Sequence, residues 1–367
     1  MKKHSLIICA AIVCAMLGAC GDKHQFTIVG TVDSTRAADQ TVYMYDINAD
    51  SDTPMDSTLL TGGAFTFKGV AGEAKNVLVA AADNSFLVRL ILEPGTIVVK
   101  GDSIGGTPLN DKLQTYNTRH DISDIEEGMQ MFLPLYYGAP DAASRAEAER
   151  VLDSLEAVGM TRLLDVDWDL YNDNSDNLLG VIAMEEIVQI GTFSYGELDS
   201  IVKAASPAVA GNPRVQARLR QLRALEETAA GKHYTDIQGV DGRLSDLVDG
   251  RLALVDFWAS WCGPCRNEIK DNLVPLWKKY AKQGLVIVGL NVWERGDAAA
   301  RKAAHEKAVA DLGITYPQLV DSTRTATDTY GVNGIPQIML IAPDGTILAR
   351  DLRGAAIEEA IVKALGK

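Results

Sequence analysis

Apolar and polar positions follow three successive rhythms along this chain, and each rhythm predicts a different architecture. Between 25 and 107 the period is two. Phe26, Ile28, Gly30 and Val32 fall on one face of a strand, and Phe65 and Phe67 alternate after the turn at Gly62-Gly63. The segment 41–45 is rich in β-forming residues, two apolar runs follow over 77–81 and 86–92, and Pro94-Gly95 turns the chain into Ile97-Val98-Val99. Short strands between turn signals predict an all-β, antiparallel sandwich-like domain. From 108 to 230 the spacing becomes helical, with helices expected over 142–164, 178–190 and 213–230. From 231 to 367 strand and helix alternate. The apolar run 252–258 is a strand and 266–282 carries helical spacing. A strand then covers 285–290 and a helix 298–312. A hairpin joins 337–341 to 347–350 through Pro343-Asp344-Gly345, and a helix over 355–365 closes the chain. That alternation is an α/β order.

At 367 residues there is room for two or three domains, and 47% hydrophobic with 23% charged residues is too apolar for general disorder. A net charge of −14 argues against nucleic acid as a partner. The first residues form a targeting segment: Lys2, Lys3 and His4 precede an apolar stretch over 6–17 that is too short to span a bilayer. It ends in Leu17-Gly18-Ala19-Cys20, which resembles the lipobox of bacterial lipoproteins. The resemblance implies cleavage before Cys20 and acylation of its sulfur and amine. A plain secretory signal leaving Cys20 as a free thiol is the alternative. The expected organisation is a signal peptide over 1–19, a β-rich domain over 20–107, a helical linker over 108–230 and an α/β domain over 231–367. Within the linker, Asp173-Asn174-Ser175-Asp176-Asn177 has calcium-loop character but lacks the glycine and glutamate such a loop needs. Asp176 is expected there as the N-cap of the next helix.

Of five cysteines, Cys9 and Cys14 leave with the signal peptide and Cys20 carries the anchor. Only Cys262 and Cys265 remain, in Trp261-Cys262-Gly263-Pro264-Cys265 at the junction between the strand and the following helix. Cys262 is expected at the exposed N-terminal edge of that helix, where free amides and the dipole favour its thiolate. Gly263 and Pro264 suit the first turn, since proline there sacrifices no helical hydrogen bond. Cys265 falls on the same face, placed to attack a mixed disulfide at Cys262. A structural zinc site would need more ligands than one cysteine pair and the scattered His24, His120, His233 and His305 supply. Asp256 interrupts the apolar strand; burial there raises a carboxyl pKa and suits it to exchange a proton with Cys265.

The stretch from Val255 to Arg266 resembles the thioredoxin active-site segment, and Gly334-Ile335-Pro336 resembles the thioredoxin cis-proline loop. With the lipobox, the chain resembles TlpA-like or ResA-like envelope thioredoxins. Residues 92–97, Leu-Glu-Pro-Gly-Thr-Ile, resemble a β-rich domain of unknown function that precedes such modules. The resemblance implies a thioredoxin fold over 231–367 and supports the proton-exchanging role of Asp256. It also implies a tuning role for Glu268, a cis Pro336, and backbone groups of Ile335 that pair with an extended substrate. Trp261 shields the site, and Gln337 stands where thioredoxins carry threonine. The implied activity is reduction of disulfides in envelope proteins, with the Cys262–Cys265 pair as the only redox group and no further cofactor. A membrane thiol-electron donor would supply electrons to a lipid-anchored periplasmic protein. An oxidase or isomerase using the same cysteines, and a non-enzymatic binding lipoprotein, are the alternatives.

Overall fold

A computed structural model of the chain describes residues 24–33, 39–49 and 53–366. The expected signal peptide and Cys20 lie outside the described residues. The chain divides into two compact units, Met1–Ala183 and Met184–Lys367. Among the described residues no helix is long and apolar enough to cross a membrane.

The first unit holds β1 (Gln25–Thr31), β2 (Gln40–Asp46), β3 (Asp56–Leu60), β4 (Ala64–Val70), β5 (Lys75–Ala81), β6 (Leu87–Leu92), β7 (Gly95–Lys100) and β8 (Ser103–Gly105). They form two four-stranded sheets, β4-β1-β7-β8 and β3-β2-β5-β6. The alternation in the sequence is the cause: Phe26, Ile28, Phe65 and Phe67 from one sheet and Val42, Val79 and Leu90 from the other share a single buried core. The sandwich is not wholly antiparallel, however. β1 and β7 pair in parallel, from Phe26 with Gly95 to Thr31 with Lys100. Five strands separate the two in sequence, room enough for the crossover that a parallel pair requires.

Helices α1 (Pro108–Arg119), α2 (Ser123–Tyr137), α3 (Ala142–Asn174) and α4 (Leu178–Ile190) follow, and the boundary between units falls inside α4. Asp141 caps α3 by accepting the Ser144 amide at 2.8 Å. That helix runs on to Asn174, ten residues past the stretch marked by apolar spacing, so Asp173 and Asn174 are its last turn and not part of a calcium loop. The Asn174 side-chain oxygen accepts from Lys112 at 2.8 Å. Nor does Asp176 cap α4: Asn177 does, its Oδ1 accepting the Leu179 amide at 2.9 Å. Asp176 and Asn177 are equally good capping types, and the one that lies two residues before the accepted amide takes the place.

In the second unit, α5 (Tyr195–Ala204), α6 (Pro207–Ala210) and α7 (Pro213–Glu227) come first. The small hairpin β9 (Gln238–Gly239) and β10 (Gly242–Arg243) and helix α8 (Leu244–Val248) lead into the main sheet. Its strands are β11 (Leu252–Trp258), β12 (Leu285–Asn291), β13 (Gln318–Val320), β14 (Gln337–Ile341) and β15 (Ile347–Ala349), ordered β13-β12-β11-β14-β15. β12 runs parallel to β11 and β13 parallel to β12, whereas β14 is antiparallel to β11. Every residue of β11 and β12 is buried, as continuous apolar runs with helices on both faces require. This is the thioredoxin order.

The helices that cover the sheet are α9 (Gly263–Glu268), α10 (Val274–Tyr280), α11 (Ala298–Asp311), α12 (Thr325–Tyr330) and α13 (Ala355–Ala364). One continuous helix was expected over 266–282. Instead a π-helical turn, Ile269–Leu273, separates α9 from α10, with the Val274 amide donating to Ile269 O. Pro275 is the reason: it has no N–H to give to Asp271, and the chain absorbs the lost bond in a wider turn.

α7 docks on α12. Gln221 Nε2 donates to Gly331 O at 3.2 Å, and Arg350 donates to Thr228 O at 3.0 Å and Tyr330 O at 2.7 Å. Gly331 has φ of +63°, and a Cβ there would sit 2.7 Å from Gln221 O and 2.8 Å from Leu225 Cγ. Gly331→Ala is therefore expected to destabilise this unit by about 1–3 kcal/mol. Denaturant unfolding followed by tryptophan fluorescence measures it, since Trp258, Trp261, Trp277 and Trp293 all lie in this unit.

Candidate active site

β11 ends at Trp258, and four residues later the chain is helical. Ala259 O accepts the Cys262 amide at 3.1 Å and closes the turn. Cys262 is the N-cap of α9, with φ −79° and ψ 103°, and its Sγ accepts the Cys265 amide at 3.2 Å. The two sulfurs are bonded at 1.97 Å, with Cα atoms 5.3 Å apart. Cys262 is 4% exposed and Cys265 is fully buried. The first cysteine is thus more covered than an exposed helix edge suggests. Its sulfur is turned inward to Cys265 and lies 3.7 Å from the carbonyl oxygen of Ile335. Cys262 is nonetheless the less buried residue of the pair.

Asp256 sits within β11, paired with Gly289 on one side and Ile338 on the other. It is 1% exposed, and neither carboxyl oxygen has a hydrogen-bond partner. Burial without compensation pushes its pKa up to about 8; the charge of Glu268 adds to the rise and Arg353 opposes it. Glu268, one turn beyond Cys265, is half-buried. Its Oε1 accepts from Asn272 Nδ2 at 2.8 Å and from the Gly354 amide at 3.1 Å, joining α9 to the start of α13. The glutamate thus reaches the site by its charge near Asp256 and by this tie. Tyr316 is a further buried neighbour: burial and the charge of Asp256 both hold its phenol protonated, and its hydroxyl has no hydrogen-bond partner.

The Ile335–Pro336 peptide bond is cis. Pro336 O accepts from Arg353 Nη2, while Gln337 turns directly into β14 opposite Phe257 and is 8% exposed. Gln337 is thus a sheet residue here. Gly263 and Pro264 are exposed in the first turn of α9 beside the sulfurs. Trp261 is 43% exposed, and its Nε1 donates to Trp293 O at 2.9 Å. The guanidinium of Arg295 lies 4.4 Å from the Trp261 ring centroid. Trp258, by contrast, is fully buried, its Nε1 donating to Gln318 Oε1 at 3.1 Å, and belongs to the core.

Several site residues escaped the sequence reading. Glu294 holds the approach to Cys262: Ser260 N donates to its Oε1 at 2.6 Å, Ser260 Oγ to its Oε2 at 2.7 Å, and Asn291 Nδ2 to its Oε1 at 2.8 Å. Arg266 Nη1 adds a bond to Ser260 O at 3.3 Å. Trp293, Arg295, Tyr316 and Arg353 were missed as well. One signal was available for the first three of the loop: Trp293-Glu294-Arg295 follows the apolar strand beside β11, and loops at the carboxyl ends of parallel strands line ligand sites.

With this geometry, comparison with known proteins defines the class. The AhpC/TSA family pattern matches residues 225–350, and a domain of unknown function, DUF4369, matches residues 26–113. The thiol:disulfide interchange protein HelX of Rhodobacter capsulatus is 31% identical over 186 residues, covering 50% of this chain and 90% of HelX. The thiol-disulfide oxidoreductase ResA of Geobacillus kaustophilus is 32% identical over 126 residues, covering 34% of this chain and 67% of ResA. A solved thioredoxin domain of a thiol-disulfide oxidoreductase from Bacteroides vulgatus is 27% identical, covering 37% of this chain and 98% of that one with a TM-score of 0.33. The protein is a thioredoxin-like thiol–disulfide oxidoreductase. It belongs with HelX and ResA, its residues 225–350 match the AhpC/TSA family, and it carries a DUF4369 domain ahead of its redox module.

Two outcomes follow from the site. Folded Asp256 keeps its proton up to about pH 8, whereas the unfolded carboxyl releases it near 3.8. The folded state therefore binds the extra proton between those values, and this group's contribution to stability falls as pH rises through that window. Asp256→Asn is expected to stabilise the protein by on the order of 3 kcal/mol at pH 8 and by little at pH 4, as read from denaturant midpoints. Glu294→Ala should cost about 1–3 kcal/mol and leave Trp261 more open to acrylamide quenching, because three hydrogen bonds to one carboxylate are lost.

Proposed function

We propose that this protein reduces disulfides of envelope proteins. The supporting observation is the Cys262 sulfur at the head of α9, accepting the Cys265 amide, with Cys265 wholly buried in the same cluster as the strand that carries Asp256. In the reduced protein that amide stabilises a Cys262 thiolate. The thiolate attacks one sulfur of a substrate disulfide, forming a mixed disulfide and expelling the other sulfur as a thiolate. Cys265 then loses its proton, with Asp256 as the exchanging group, and attacks the Cys262 sulfur. The second substrate sulfur leaves, both substrate sulfurs end as thiols, and the Cys262–Cys265 disulfide is restored. Two electrons have passed to the substrate.

Repeated turnover then needs two electrons and two protons from a thiol donor, and a membrane thiol-electron donor fits a protein held at the envelope. The location rests on the basic-apolar segment over 2–17 and the lipobox-like Leu17-Gly18-Ala19-Cys20. We assign 1–19 to a lipoprotein signal peptide, with Cys20 lipidated and the mature protein periplasmic. Residues 20–107 are the β-rich domain, 108–230 the helical linker and 231–367 the redox domain. Trp261, Gly263, Pro264, Ile335 and Pro336 form the rim on which substrate docks, Cys262 and Cys265 exchange, and Glu268 tunes Asp256.

The reducing direction is carried by Gly263-Pro264 between the cysteines, the dipeptide of reducing thioredoxins. Those operate near about −270 mV, against about −120 mV for the oxidant DsbA. The equilibrium potential of the Cys262–Cys265 pair is expected near the thioredoxin value, with catalysed insulin reduction from a small thiol donor. A potential near that of DsbA, with no insulin reduction above background, would contradict the reductase assignment.

A further inference from the structure

Beside Trp261 lies a cleft of about 1010 Å³, walled by Trp293, Arg295, Arg301 and Arg324 among others. Its volume sits at the upper end of the roughly 300–1,000 Å³ range of ligand pockets. Trp261 is its link to the chemistry, being both a wall of the cleft and the residue that precedes Cys262.

The charged lining is formally balanced, with Arg295, Arg301, Lys302 and Arg324 against Asp241, Glu294, Glu306 and Asp321, but the two signs differ in how far they are engaged. Most of the lining acids are already engaged. Glu294 holds Ser260 and Asn291. Asp321 accepts the Thr323 amide at 2.9 Å and the Ala326 amide at 2.8 Å, and Glu306 lies 3.8 Å from Lys302. Asp241 alone of the lining acids is uncommitted. Arg295, Arg301 and Arg324, however, make no ion pair with any acid among the described residues. The Arg295 guanidinium lies over the Trp261 ring.

The backbone is also strained here. Four described residues other than glycine have left-handed φ, and two line this cleft: Trp293 at +55° and Arg324 at +65°. Such conformations cost free energy and persist where the surroundings hold them, most often at ligand sites. The turn at Trp293 presents its carbonyl to Trp261, and Arg324 O accepts the Asp328 amide at 3.0 Å at the start of α12.

We propose that this cleft is a specificity subsite for the polypeptide flanking the substrate cysteine, and that it selects carboxylate-bearing segments. Asp and Glu side chains within a few residues of the cysteine pair with Arg295, Arg301 and Arg324 while the chain packs against Trp261. The proposal rests on the reductase reading above, and it names the substrate class that reading leaves open: disulfides in acidic polypeptides.

The test uses the full-length protein in its reduced form and two peptides of equal length. Each carries its cysteine as a mixed disulfide with a chromogenic aromatic thiol, flanked in one by glutamates and in the other by glutamines. At low ionic strength the glutamate peptide should react about tenfold faster in kcat/KM, the preference shrinking towards unity in 0.5 M salt. Arg301→Gln with Arg324→Gln should lower the ratio to about two or less, whereas the double lysine replacement should keep most of it. Equal rates at low salt, or a preference that survives the glutamine replacements, would overturn the proposal. A glutamate peptide with serine in place of its cysteine separates the two readings, because its binding to the oxidised protein involves no electron transfer. Salt-sensitive binding that the glutamine variant loses supports the subsite even if neither disulfide peptide is reduced. Absence of binding overturns the subsite even if both are.

Discussion

Everything at this site depends on how the central strand is held. β11 is buried on both faces and paired on both edges, so its register is fixed by Trp258 against Asn291 on one side and Phe257 against Gln337 on the other. That register sets Asp256 within the core and hands the chain to a helix whose N-cap is Cys262. It also brings the two flanking loops to the same end of the sheet. Beyond β12 come Trp293 and Glu294, which hold Trp261 and Ser260; before β14 comes the cis Pro336, with the Ile335 carbonyl against the Cys262 sulfur.

The arrangement carries a cost in stability. A buried carboxyl with neither oxygen hydrogen-bonded is a destabilising group, and Asp256 persists because its proton removes the charge. With its pKa pushed up to about 8, this carboxyl can pass between its two forms near neutral pH, which a salt-bridged aspartate held ionised could not. Glu268 and Arg353 act on it with opposite sign, so its ionisation is set by a balance of two charges and not by burial alone. Arg353 also donates to Pro336 O, and so joins the surroundings of Asp256 to the loop beside the sulfurs.

How much of this was legible in the sequence depended on how local each feature is. Cys262, Cys265 and Asp256 lie within ten residues, and the apolar run that buries Asp256 is visible beside it; the pattern needs no partner strand to be read. Gly334-Ile335-Pro336 was recognisable as a loop of known shape, though far along the chain. Glu294 was marked only by its place after an apolar strand, and Tyr316 and Arg353 carried no mark, because each meets the site only through the folding of the sheet. The parallel pairing of β1 with β7 was hidden for the same reason, since alternation within a strand is identical in parallel and antiparallel sheets. The extent of α3 and the π turn before Pro275 show a further limit: apolar spacing marks which face a helix buries, not where its hydrogen bonds stop or widen.

On the proposed reaction, Cys262 is the attacking thiolate and Cys265 is kept in reserve. The pH dependence of iodoacetamide alkylation of the reduced protein, with the site read by mass spectrometry, measures this directly. Modification is expected at Cys262 alone in the native state, with an apparent pKa below the ordinary cysteine value of about 8.5. Modification of Cys265 first or equally, or a Cys262 pKa at or above that value, would contradict it.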